Sequence, residues 1–186
     1  MGKVNFIYKK IKYLGYKVLS FSKLKYYKKF YILSIRNHKS IRKHMVNKNL
    51  ISVKEHFKFL QKLKYKKIKS KYFAVLINNL IFGVFYIKPL DKWICEIGLY
   101  LHPRFIGKGK GKTFLRIIQV SAQHIFKFKE IKLFVDKNNK KAIKFYLKNG
   151  FEIYKENKKY LFLRKVPQKL CKFYHTSKRS LKISDN

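Results

Sequence analysis

The sequence predicts an α/β protein with a central mixed, mostly antiparallel sheet flanked by helices. Two observations predict this class. Short apolar runs typical of strands recur between residues 13 and 164, and segments with the 3.6-residue periodicity of amphipathic helices separate several of them. The predicted order is strand, two helices, three strands, helix, strand, helix and two strands. Such alternation is typical of α/β folds.

The first part of the chain is predicted to form one strand and two helices. Residues 13–20 alternate as a strand, and residues 24–35 have helical periodicity. Ser52, followed three residues later by Glu55, is a capping-box pattern that begins a helix over residues 52–63. The apolar faces predicted for these two helices are Leu24, Tyr27, Tyr31 and Ile35, and Val53, Phe57, Leu60 and Leu63.

The remaining elements follow without a linker. Strands are predicted over residues 72–77 and 80–87, paired as a hairpin, then over 93–101, 131–135, 151–154 and 159–164. Helices are predicted over residues 112–126 and 139–149, with Gly150 at the position of a helix C-cap. We therefore expect one domain over residues 1–166, followed by a basic, poorly ordered tail over residues 167–186.

Composition limits the function. The chain has 47 Lys+Arg against 8 Asp+Glu, and 47% hydrophobic residues indicate a packed core. No apolar run approaches the roughly 20 residues of a membrane span, and no signal peptide is evident, so a cytoplasmic protein without a membrane partner is expected. Cys95 and Cys171 lack metal-site spacing, so we expect reduced thiols and no metal. The positive charge can be interpreted as a means of attracting polyanions. Alternatively, it reflects compositional drift, and the even spread of the lysines along the chain favours this second interpretation.

A glycine-lysine loop over residues 107–111 lies between a predicted strand and a predicted helix. Such a loop exposes several backbone N–H groups near a helix N-terminus, where the helix dipole adds positive potential. Glycine is needed because a side chain would keep a phosphate away from the backbone. The pattern indicates a pyrophosphate cradle, and the alternative is a flexible surface loop.

A second segment, residues 138–151, has the pattern Asn-x-x-Ala-x-x-Phe-Tyr-x-x-x-Gly-Phe beginning at Asn139. This pattern resembles the second acetyl-CoA segment of the GNAT acetyltransferase superfamily, and residues 93–115 resemble its first. The resemblance covers about residues 14–164 and implies a GNAT fold that uses acetyl-CoA as co-substrate. The coenzyme contacts that it implies are Leu99, Leu101, Lys108, Gly109, Lys110, Gly111, Lys112, Asn139, Ala142 and Phe145.

The loop departs from the family pattern at one position. With Gly109 and Gly111 in the family register, Ile106 stands where Gln or Arg is usual. A shifted register would place Arg104 there instead. The first register is favoured because it puts apolar residues where the following helix needs them.

The N-terminal half resembles one branch of the superfamily, which acetylates the 4-amino group of a UDP-linked amino-dideoxy sugar in pseudaminic acid biosynthesis. The similarity lies in Arg-Asn-His at residues 36–38, in residues 41–45 and in residues 51–60. It implies acceptor contacts from Arg36, Asn37, His38, His44, Met45 and His56. Members of this branch often have Trp where this chain has His44.

The resemblance also assigns chemistry. Tyr146 occupies the position of the tyrosine that serves as general acid beside the thioester sulfur, although a core tyrosine is the alternative. Glu96, inside the strand that flanks the thioester, is the best candidate to accept the amine proton, unless it lies on the other face of the sheet. Two other functions stay open, namely acetylation of a protein N-terminus and non-enzymatic nucleic-acid binding. Weak polyanion binding and a homodimer also stay open.

Overall fold

A computed structural model describes residues 15–65 and 68–166. The strands are β1 (Tyr16–Ser20), β2 (Lys71–Ile77), β3 (Leu80–Pro89), β4 (Ile94–Leu101), β5 (Glu130–Asp136), β6 (Glu152–Glu156) and β7 (Tyr160–Lys165). The helices are α1 (Tyr26–Asn37), α2 (Lys39–Arg42), α3 (Val53–Lys64), α4 (Gly111–Val120) and α5 (Lys140–Lys148). The order of elements confirms the prediction, with α2 as an addition. The 167–186 tail and the first residues of the predicted domain lie outside the described part.

The seven strands form one mixed sheet in the order β1-β2-β3-β4-β5-β7-β6. All neighbouring pairs are antiparallel except β4 and β5, which run parallel. The α4–α5 core and the α1–α3 core lie on opposite faces of this sheet, so the chain buries both faces. Within the described ranges, no helix is long and apolar enough to cross a bilayer.

Side-chain alternation assigns the residues of β4 to the two faces. Cys95 and Ile97 pack in the core that includes α4, whereas Tyr100 packs in the core that includes α1 and α3. Because successive residues of a strand point to opposite faces, Glu96 and Gly98 share the face of Tyr100. The Glu96 side chain therefore lies on the face of the sheet that α1 and α3 cover.

The start of α3 is predicted correctly, but the faces predicted for α1 and α3 are only partly correct, since Ile35 and Leu60 are buried and other members are exposed. In α3, the capping box is formed, since Ser52 N donates to Glu55 Oε2 at 2.7 Å and Glu55 N donates to Ser52 Oγ at 3.2 Å. Val53 and Phe57, however, are 62% and 45% exposed, whereas His56 and Leu60 are buried. The helix is rotated so that an imidazole, which a hydropathy pattern scores as polar, lies at the centre of its buried face.

Helix α1 shows the same kind of error. Tyr27 and Tyr31 are exposed, and the residues that α1 buries are Ile32, Leu33 and Ile35. Leu24 is buried but precedes the helix. The helix begins two residues later than predicted, and the tyrosine side chains, which carry a hydroxyl, stay at the surface.

Candidate active site

Strands β4 and β5 separate along their length and open a cleft in the sheet. Their parallel pairing covers only Ile94–Glu96 of β4 and Glu130–Lys132 of β5. Both strands continue beyond this point, to Leu101 and Asp136. The facing backbone edges of the two strands therefore diverge after Glu96, and an extended ligand can pair with them as a strand would.

The cleft belongs to a cavity of about 1090 Å³ that reaches from the α4–α5 side to the α1–α3 side. Most of the predicted coenzyme and acceptor residues line it. Those that line it are Arg36, His44, Met45, His56, Leu99, Leu101, Gly109, Lys110, Gly111, Lys112, Asn139, Ala142, Phe145 and Tyr146. Of the predicted site residues, Asn37, His38, Glu96 and Lys108 do not contribute to this lining.

The glycine loop ends at the uncapped N-terminus of α4. Helices α3 and α5 begin with side-chain caps from Ser52 and Asn139, but no side chain among the described residues caps α4. The first amides of a helix have no partner within the helix, so those of α4 are left to a ligand. Gly107 and Gly109 have φ values of +78° and +69°, which glycine adopts at little cost. The arrangement suits a phosphate group of the coenzyme.

Helix α5 places Tyr146 at the other wall of the cleft. Its N-cap is Asn139, whose Oδ1 accepts a hydrogen bond from Ala142 N at 3.2 Å. The Tyr146 ring is half-buried between Phe145 and Phe151, at centroid distances of 5.3 and 5.6 Å. Burial raises the pKa of Tyr146 well above that of a free phenol. The hydroxyl is therefore protonated at neutral pH, as a general acid requires.

The loop over residues 43–52 forms part of the cavity wall on the α1–α3 side, and two predicted acceptor residues hold it in place. Arg36 donates to the carbonyl oxygens of Asn47 at 2.5 Å and Asn49 at 2.7 Å. Asn37 exchanges two hydrogen bonds with the backbone of Ile51, at 2.8 and 2.9 Å. Arg36 and Asn37 therefore hold this part of the cavity wall in its position.

The three histidines predicted at the acceptor side have different surroundings. His38 caps α2, because its Nδ1 accepts from Ser40 N at 3.3 Å. His44 lines the cavity, and its pKa is lowered by partial burial and by Lys43 and Lys48. His56 is buried, its Nε2 donates to the carbonyl of Lys29 at 3.0 Å, and burial lowers its pKa. His56 is therefore a neutral imidazole at physiological pH.

Glu96 lies on the acceptor face of β4 and contacts the cavity through another residue. The Tyr86 hydroxyl donates to Glu96 Oε1 at 3.0 Å, and Tyr86 lines the cavity. The Lys88 ammonium lies 4.0 Å from the same oxygen. Sequence analysis missed Tyr86 because it lies ten residues from Glu96 and only the β3–β4 register brings them together.

The cavity lining is strongly cationic. Among the described residues, its carboxylates are Glu55, which is engaged in the capping box, and Asp136, which accepts from Asn138 N at 2.9 Å. Its permanently charged cations are Arg36, Lys110, Lys112, Lys141 and Lys148. An anionic ligand is therefore favoured over a cationic one. No group of three or more potential metal-binding side chains exists within residues 15–65 and 68–166.

Comparisons with known proteins agree with this geometry. The family model described as Acetyltransferase (GNAT) family matches residues 26–151. The curated Acetyltransferase PseH of Campylobacter jejuni is 35% identical over 141 residues, which are 76% of this chain and 87% of that protein. The crystal structure of C. jejuni N-acetyltransferase PseH in complex with acetyl coenzyme A matches with a TM-score of 0.66 and 30% identity, covering 82% of this chain and 99% of that one.

A more distant relative shows the fold alone. Spermidine N-acetyltransferase from Vibrio cholerae, solved with CoA and spermine, has a TM-score of 0.70 at 15% identity, covering 82% of this chain and 96% of that one. Because the fold does not decide the acceptor, the acceptor has to be argued from side chains.

Proposed function

The chain belongs to the GNAT family of acetyltransferases, and from that premise we propose that its acceptor is the 4-amino group of a UDP-linked amino-dideoxy sugar, as in the pseudaminic acid pathway. It is an acetyl-CoA-dependent N-acetyltransferase.

The cationic lining of the cavity is the observation that supports an acceptor with negatively charged groups. Its five permanent cations face two carboxylates that are already engaged within the protein. A UDP group brings a diphosphate that such a lining attracts, whereas a polyamine or a basic peptide brings further positive charge. The same cations disfavour the ammonium form of the acceptor and so favour the nucleophilic free amine.

The two walls of the cleft divide the binding tasks. The uncapped amides of α4, with Lys110 and Lys112, are suited to the coenzyme phosphates. The diverging edges of β4 and β5 are suited to its extended arm. The loop over residues 43–52, with His44 and Met45, together with His56, is suited to the nucleotide sugar.

The reaction needs one proton removed and one proton supplied. Acetyl-CoA brings a thioester whose carbonyl carbon the neutral amine attacks, forming the amide C–N bond as the C–S bond breaks. We assign Glu96 to receive the proton that the ammonium form loses before the attack, and Tyr146 to protonate the departing sulfur. The N–H proton that is lost as the amide forms then restores the Tyr146 hydroxyl. Tyr146 is suited to this task because its phenol is neutral at physiological pH.

The test is a thiol-release assay with purified protein and acetyl-CoA. The acceptors are a UDP-linked 4-amino sugar, the same sugar without UDP, spermidine and a basic peptide. We expect turnover with the UDP-linked sugar, a KM at least tenfold higher without UDP, and little turnover with the two cations. Raising the salt concentration should raise the KM of the UDP-linked sugar, because screening weakens the attraction. Faster turnover of spermidine or peptide would refute the proposed acceptor.

A further inference from the structure

We infer that Tyr86 is a further catalytic residue of the acetyl transfer, whose hydroxyl takes a proton from the acceptor's ammonium while passing its own proton to Glu96. The inference rests on the proposed function insofar as it needs an amine acceptor, but it does not depend on which amine is used. Three observations carry it: the position of the Tyr86 hydroxyl, its bond to Glu96, and the access of each group to the cavity.

The hydroxyl of Tyr86 stands over the point where the sheet opens. Tyr86 on β3 pairs with Gly98 on β4, and its ring lies across Gly98. A β-carbon on Gly98 would be 2.6 Å from Tyr86 Cζ and 2.9 Å from its hydroxyl oxygen. Gly98 is two residues past Glu96, the last residue of β4 that pairs with β5. Any larger residue at position 98 would clash with the Tyr86 ring, so glycine is needed there for the hydroxyl to lie where β4 and β5 begin to diverge.

The bond between Tyr86 and Glu96 has a defined direction. A carboxylate only accepts, so the 3.0 Å contact is an O–H donated by Tyr86 to Glu96 Oε1. While it donates this bond, the phenol oxygen keeps its lone pairs, and these can accept a hydrogen bond from another group. Tyr86 lines the cavity and Glu96 does not, so the hydroxyl that Tyr86 donates to Glu96 connects this carboxylate with a residue of the cavity wall.

Tyr86 gains one proton as it loses another, so the proton transfer forms no tyrosinate. The N–H bond of the ammonium breaks and leaves its electron pair on nitrogen, a new O–H bond forms on Tyr86, and the old Tyr86 O–H bond breaks as Glu96 becomes a neutral acid. Burial and the Glu96 charge both raise the pKa of Tyr86, so the phenol stays neutral before and after. The Glu96 side chain is 21% exposed beside Lys88, so it can return the proton to solvent.

The test uses Tyr86→Phe and Glu96→Gln, singly and together. The matched control is Tyr31→Phe, whose hydroxyl bonds His102 Nε2 at 2.8 Å away from the cavity. We expect each single variant to lower kcat/KM for the acceptor by about a hundredfold near neutral pH. The double variant should be no worse than either single one, because the residues act as a unit. Acetyl-CoA affinity, measured by calorimetry, should not change.

The pH profile separates a relay from a structural role. As pH rises toward the acceptor's pKa, more acceptor enters as free amine, so the loss in Tyr86→Phe should shrink. Gly98→Ala, which displaces the ring, should reproduce the loss and its pH dependence. A loss in Tyr86→Phe that is constant with pH, or a kcat/KM within twofold of wild type, would overturn the inference. Wild-type turnover of the same acceptor in the same assay keeps this result separate from the fate of the proposed function.

Discussion

The ring of Phe145 lies against Gly111, so close that a β-carbon on Gly111 would stand 3.1 Å from the ring. Gly111 is the first residue of α4, and Phe145 lies on α5. Two segments that are 34 residues apart in the sequence thus meet at the helix terminus that we propose binds the coenzyme. The position of the α4 amides therefore depends on the packing of α5.

Gly111→Val is expected to weaken acetyl-CoA binding. The branched side chain cannot fit against Phe145 without moving the start of α4, and with it the amides that face the coenzyme. We expect the acetyl-CoA Kd, measured by calorimetry, to rise about tenfold, which corresponds to about 1.4 kcal/mol. Thr113→Val, on the same helical turn but outside the cavity lining, is the control. Equal Kd values for the two variants would contradict this role of the contact.

Tyr146→Phe is expected to lower kcat by about a hundredfold, since loss of a general acid typically costs 10²–10⁴. Acetyl-CoA affinity should change little, because the ring keeps its contacts with Phe145 and Phe151. Steady-state kinetics and calorimetry check the two parts. Tyr154→Phe, on the exposed strand β6, is the control. An unchanged kcat would remove Tyr146 from the mechanism.

Arg36→Met is expected to damage the acceptor side alone. It removes two charge-assisted bonds to the carbonyl oxygens of Asn47 and Asn49, so the loop that carries His44 and Met45 loosens. We expect the acceptor KM to rise about tenfold and the acetyl-CoA KM to stay within twofold. Lys39→Met, an exposed cation removed nearby, should behave as wild type. A matched rise in both KM values would argue against a local effect.

His56 is expected to make folding stability depend on pH. Burial lowers its pKa in the folded protein below the value in the unfolded chain, so unfolding takes up protons in acid. The stability contribution is fully present above the unfolded pKa near 6.5 and is lost as pH falls through the folded pKa.

Urea unfolding at pH 7.5 and pH 5 tests this dependence. His56→Gln should show a smaller fall in the free energy of unfolding between the two values than wild type. Each unit of pKa difference is worth about 1.4 kcal/mol. Lys54→Gln, on the exposed side of the same helix, should keep the wild-type fall. An unaltered fall in His56→Gln would show that other groups carry the dependence.

The elements and the coenzyme segments could be predicted because their signals are local. A capping box at Ser52 and Glu55 lies within one turn, and the pattern from Asn139 to Phe151 lies within one helix and its flanks. The parallel contact between β4 and β5 follows from the order of elements around α4. Periodicity, the capping box and the resemblance of these segments to the family pattern together identify the strands and helices that build the cleft.

The acceptor side depended on contacts that no local pattern encodes. The alignment of Tyr86 with Gly98 and Glu96 requires the register of a hairpin and the faces of its strands. The buried face of α3 depends on what His56 meets, namely the carbonyl of Lys29 on another helix. Arg36 and Asn37 were expected at the acceptor, but their anchoring of a loop 11 to 14 residues away appears only in three dimensions.

The anchoring of the 43–52 loop has a consequence for how this scaffold can change. Arg36 and Arg42 grip it through the carbonyl oxygens of residues 47, 48 and 49, and every amino acid provides such an oxygen. These hydrogen bonds to the loop therefore do not depend on the identity of the loop side chains. His44 and Met45, which line the cavity, can therefore be exchanged by evolution or by design while the bonds that hold the loop stay in place.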